Sequence, residues 1–71
     1  MQFIGVLRSG RKILTDDYDE EEIRKGIPFK NIVKDLVEWN VKEPCMIYDN
    51  LGRFYKTVTM NSYTPLELYG V

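Results

Sequence analysis

Asp16, Asp17, Asp19, Glu20, Glu21 and Glu22 are the densest set of chemically capable side chains in the sequence, six carboxylates in seven positions with Tyr18 among them. Such a run offers three chemistries: holding a cation, acid–base work, or attracting a basic surface. A calcium loop alternates its ligands around a central glycine and ends on a distal glutamate. This run has neither the glycine nor the spacing, so no specific metal site is expected. Acid–base catalysis needs two carboxylates in different environments, held apart across a cleft. Neighbours on one short segment do not supply that. Attraction is left. The chain carries −1 in total and the segment −6, so the remainder carries +5. Acidic faces steer basic partners, and Tyr18 adds an amphipathic anchor that charge alone lacks.

Other routes to catalysis are thin. The sequence has no histidine, so it lacks the common general base and the usual activator of a nucleophile. Cys45 is its single cysteine and follows Pro44 at the start of an apolar stretch. That context reads as a buried structural thiol, with no disulfide. The five glycines (Gly5, Gly10, Gly26, Gly52, Gly70) are scattered and form no phosphate loop. No catalytic residue, metal or cofactor is expected.

A second binding chemistry comes from the cations. Arg8, Arg11 and Lys12 cluster at one expected turn, and Arg53 and Lys56 flank another. Tyr55, with Tyr48 and Phe54 nearby, offers rings on which bases stack. This set is the alternative reading, a small nucleic-acid-binding module. The net charge of −1 lacks the basic excess such modules carry, and the acidic run repels phosphate. A third reading is a small-ligand site formed at an oligomer interface, which needs no catalytic residue.

The elements that position these groups follow from periodicity and punctuation. Gln2–Leu7 is apolar and β-leaning, Arg8–Arg11 turns, and Lys12–Thr15 returns as a second strand. Thr15 to Gly26 reads as a short acidic helix capped by Thr15, Asp16 or Asp17. Its acids come first, Arg24 and Lys25 come last, and Gly26 closes it, as the helix dipole favours. Pro28 then opens a helix to Trp39. Phe29, Ile32, Val33, Leu36 and Val37 lie on one stripe of it, and Asn40 is its stop. Cys45–Tyr48 and Arg53–Met60 read as strands joined by the turn signal Asp49-Asn50-Leu51-Gly52. Strict alternation along the second puts Phe54, Lys56, Val58 and Met60 on one face, and Tyr55, Thr57 and Thr59 on the other. Leu66–Tyr69, after Pro65, reads as an edge strand.

Seventy-one residues make one domain, 1–71, of α+β class. The expected architecture is a small antiparallel sheet of four or five strands, built from two hairpins. One main amphipathic helix packs on one face, and a short acidic helix precedes it. The stripe is expected to meet Ile4, Val6, Ile47, Phe54 and Val58. A chain this short buries only about 60% of its unfolded surface, so homo-oligomerisation is one route to stability. Met1–Leu7 does not read as a secretion signal, and no apolar run approaches about 20 residues. With one free cysteine, the expected location is cytoplasmic. The chain has no alanine and is rich in Ile, Lys, Asn and Tyr. In size and composition it resembles the small proteins of phages and mobile elements, many of which bind and block a host protein. The resemblance rests on no motif. The leading expectation is a non-catalytic modulator or inhibitor that binds a larger intracellular protein through Asp16–Glu22.

Overall fold

Two hairpins and a helix build the frame. In the computed structural model, which describes residues 1–70, strand β1 (Phe3–Leu7) pairs antiparallel with β2 (Lys12–Leu14). Strand β3 (Cys45–Asp49) pairs antiparallel with β4 (Phe54–Val58). The hairpins join edge to edge through β1 and β3, also antiparallel, giving the order β2-β1-β3-β4. The α+β class with one antiparallel sheet and a main helix on one face therefore holds.

Three helices follow from local chemistry. Helix α1 (Glu20–Arg24) starts at Asp19, whose carboxylate accepts from Glu22 N–H, while the Glu22 carboxylate accepts from Asp19 N–H. This reciprocal capping box begins the helix later than Thr15–Asp17, the caps expected from sequence. Thr15 instead extends the β1–β2 pairing, since its hydroxyl accepts from Phe3 N–H at 2.8 Å. Gly26 stands between α1 and α2 (Ile27–Glu38) at φ 76, a left-handed turn that lets two helices meet at one residue. Asn40, at φ 53, ends α2. There Val41 N–H donates to Leu36 O and Asn40 N–H to Val37 O, a Schellman closure. Its apolar partner, Val41, is buried.

Helix α3 (Pro65–Tyr69) replaces the expected edge strand. Thr64 and Glu67 form a second capping box with Pro65 at the first helical position. Leu68 then turns into the core. Among the described residues the sheet has four strands.

The core lies between the sheet and α2. Phe29, Ile32, Val33 and Leu36 of α2 meet Phe3, Leu7, Ile13, Cys45, Ile47 and Val58 of the sheet. Two sequence expectations change here. Along β1 the inward residues are Phe3, Gly5 and Leu7, while Ile4 and Val6 face the other way and are half-buried. Along β4 the alternation breaks. Tyr48 pairs with Phe54 but Ile47 with Lys56, leaving Tyr55 as an extra, bulged residue. The bulge turns Tyr55 inward, 4.9 Å from the Phe3 ring, and leaves Phe54 on the outer face, 54% exposed. Phe54, Ile4 and Val6 are therefore not the surface on which α2 packs.

One carboxylate is fully buried. Asp49 closes the β3–β4 turn by accepting from Leu51 N–H and Arg53 N–H at 2.9 Å each. Its second oxygen takes Arg53 Nε at 2.7 Å. Burial alone pushes the Asp49 carboxyl up, but these donors and the Arg53 charge outweigh it and hold it below its ordinary value.

Candidate functional site

The acidic segment lies in two states of engagement. The amino terminus pairs with Asp17 and also donates to Tyr18 O at 2.6 Å. Asp19 and Glu22 cap α1, and Glu21 pairs with Lys25 at 3.7 Å. Both ends of that last pair are well exposed, so it adds little stability. Tyr18 docks on α2, where its hydroxyl accepts from Asn31 Nδ2 at 2.8 Å. Asp16 and Glu20 are exposed and, among the described residues, form no ion pair. Much of the acidic run thus does a structural job, and among the described residues Asp16 and Glu20 are its carboxylates with neither an ion pair nor a capping role.

The same segment borders a groove of about 660 Å³. Met1, Tyr18, Ile23 and Tyr55 give it apolar and aromatic walls, and Asp19, Glu20 and Arg24 supply charge. The β4 bulge positions Tyr55 there, with its hydroxyl donating weakly to Met1 Sδ at 3.9 Å. Sequence reasoning put Tyr55 with the cations. The structure brings it to the acids instead, through a bulge that alternation alone does not signal.

The cations of the nucleic-acid reading are divided. Antiparallel register sets Leu7, Lys12, Cys45 and Val58 at one end of the sheet and Phe3, Leu14, Asp49 and Phe54 at the other. Arg8, Arg11 and Lys12 therefore sit at one end, and Arg53 at the other, the end at which the acidic segment leaves β2 on the opposite edge of the sheet. Four residue steps along β1, from Phe3 to Leu7, at ~3.4 Å each separate these ends by ~14 Å. Arg53 is held by Asp49. Lys56 lies on the helix side, its ammonium 5.0 Å from the Phe29 ring centroid, a cation–π contact. Tyr48 and Phe54 are on the opposite face.

Cys45 is buried and free, and burial pushes its thiol up, away from nucleophilic chemistry. Among the described residues no cluster of three metal-ligating side chains forms, and no helix is long and apolar enough to cross a membrane. No family model matches the chain, and no curated protein or solved structure matches it.

Proposed function

We propose that this chain is a non-catalytic binding protein that engages a larger protein through the Asp16–Glu22 segment and the groove beside it. One observation carries the reading: the acidic segment borders an open groove with aromatic walls, Tyr18 and Tyr55. Anchoring pockets of this kind suit a long side chain with an apolar stem and a charged end, such as arginine or lysine. The Glu20 carboxylate in the groove wall then complements the charge, Asp16 adds to the acidic field from a neighbouring groove that shares Tyr18, and Arg24 selects against a uniformly basic strand by placing one cation in the groove. A partner whose activity depends on the captured basic segment would be inhibited by it.

Affinity capture with the full chain, followed by titration of the captured protein, tests the reading. Asp16→Lys and Glu20→Lys together leave the capping box and the Tyr18 contact intact. The variant is expected to keep the far-ultraviolet spectrum and to lose capture, with weaker binding at higher salt in the parent chain. Equal binding by parent and folded variant sinks the proposal.

A further inference from the structure

Helices cover one side of the sheet, and its other face is open. Alternation along β1 carries Ile4 and Val6 to that face and, two residues on, Arg8. A groove of about 340 Å³ lies there, lined by Val6, Leu7, Arg8, Pro44, Met46 and Thr57. Its walls are aliphatic apart from the Thr57 hydroxyl and the Arg8 guanidinium. Lys12 is the register partner of Val6, and Arg11 stands on the turn between Arg8 and Lys12. This end of the groove is therefore cationic. Among the described residues Arg8, Arg11 and Lys12 form no ion pair. Glu43, next to Pro44, has its carboxylate on the Ser9 N–H at 2.8 Å. Away from the cations the face stays apolar. Ile4 and Tyr48 are register partners there, and Tyr48 meets Phe54 edge to face, 5.7 Å between ring centroids. One end of the face thus offers positive charge, and its length offers hydrocarbon.

We propose that this groove binds one anionic amphiphile, a medium-chain fatty acid. Its carboxylate sits on Arg8, and its tail runs past Val6 and Met46 toward Ile4 and Tyr48. Three observations select this class. First, charge: an unpaired guanidinium takes a carboxylate bidentately, and Lys12 adds to the attraction. Second, lining: a hydrocarbon tail brings no polar atom to be left without a partner. An extended peptide laid in the groove would bury backbone N–H and C=O groups against walls whose polar side chains are Arg8 and Thr57 alone. Nucleic-acid bases would find no ring in the lining on which to stack. Third, size: a volume of about 340 Å³ lies at the small end of ligand sites. A helix about 10 Å across exceeds that volume in a single turn, so it would bridge the groove and leave it empty. From Arg8 to Ile4 the path is four residue steps, ~14 Å at ~3.4 Å each, and an extended medium-chain tail follows it. No residue of this groove lines the one at Tyr18 and Tyr55, so the inference stands apart from the function proposed above.

Titration of the full chain with decanoate, kept below the concentration at which it forms micelles, tests the proposal by calorimetry and nuclear magnetic resonance. One molecule per chain is expected to bind saturably. Side-chain signals of Val6, Met46 and Thr57 are expected to shift, while those of Tyr18 and Ile23 stay fixed. Octanoate is expected to bind several-fold more weakly, because it buries less hydrocarbon. Arg8→Gln is expected to weaken decanoate about tenfold and to bind neutral decanol as the parent chain does. Met46→Glu, at an exposed position, is expected to keep its far-ultraviolet spectrum and to lose both ligands. Absence of saturable binding overturns the proposal. So does binding that moves Tyr18 and Ile23 and leaves the groove signals fixed, equal affinity of Arg8→Gln for decanoate, or a folded Met46→Glu that still binds. Binding to phosphatidylglycerol vesicles with none to the free acid assigns the face to a membrane surface and overturns the proposal as well.

Discussion

Gly5 on β1 lies against Cys45 on β3 so closely that a Cβ on the glycine would stand 2.6 Å from the cysteine Sγ. The buried thiol fills the space a β1 side chain would otherwise occupy. Gly5→Ala is expected to cost ~1–3 kcal/mol through overpacking. Cys45→Ala alone loses buried contacts and is also destabilising. Combined, the two changes relieve the clash, so the double variant is expected to be at least ~0.5 kcal/mol more stable than additivity gives. Urea unfolding of the four proteins measures this, and strictly additive costs would remove the packing argument.

Leu36 points from the centre of the α2 stripe into the sheet and is fully buried. Truncation to alanine is expected to cost ~2–5 kcal/mol, a large part of what a domain of this size holds. Val37, beside it on the helix, only borders the core, so Val37→Ala is expected to cost less. Thermal unfolding that ranks the two variants the other way contradicts the orientation of α2.

The helix stripe was legible because charged and amide residues separate its apolar positions at a helical period. The β3–β4 turn was legible because Asp49, Asn50 and Gly52 each have a turn chemistry. By contrast, Phe3-Ile4-Gly5-Val6-Leu7 is apolar on both faces, and nothing in it says that the glycine points inward. The β4 bulge was hidden for a related reason: alternation assumes one residue per step, and Tyr55 is the extra one. Helix α3 did have a signal, Thr64 followed by Pro65 and Glu67, the spacing of a capping box. Its brevity, and the alternation of Leu66 and Leu68 about Glu67, fit a short strand on period alone. The groove at the acidic segment was legible only in part. Tyr18 was in the run, but Met1 and Tyr55 reach it through the tertiary fold.

Acid should weaken the fold through Asp49 and Glu67. Opposing its burial, Asp49 has backbone and guanidinium donors that lower its folded value below the ordinary 3.8. Glu67 is lowered from 4.5, first by the Thr64 N–H. A carboxyl with a lowered folded value binds its proton more readily in the unfolded chain. Its contribution is thus fully present above the ordinary value and is lost as pH falls through the folded one. Asp35 acts oppositely, because burial and then Glu38 raise it, so its protonation relieves the fold on the same descent. Urea midpoints measured from neutral pH downward are expected to drop from near pH 4. Asp49→Asn keeps an acceptor for Leu51 and Arg53 N–H but loses the charge, so its profile should start lower and fall less steeply. A parallel profile in that variant contradicts the assignment.

Nucleic acid offers the sharpest test of how the sheet divides its charge. A single strand stacked on Tyr48 and Phe54 meets the open face, where Lys12 lies, with Arg8 and Arg11 at the adjacent turn. Lys56 is on the far side over Phe29, and Arg53 is engaged by Asp49 at the other end. At most three phosphates are then neutralised together, which bounds the slope of log affinity against log salt at about −2 for a single strand. Labelled oligonucleotides are expected to show weak binding at low salt, none at physiological salt, and no change on Lys56→Ala. A slope of about −3.5, made shallower in Lys56→Ala or Arg53→Ala, would bring in the helix side and require the two basic regions to act as one surface, which their separation along the strands opposes.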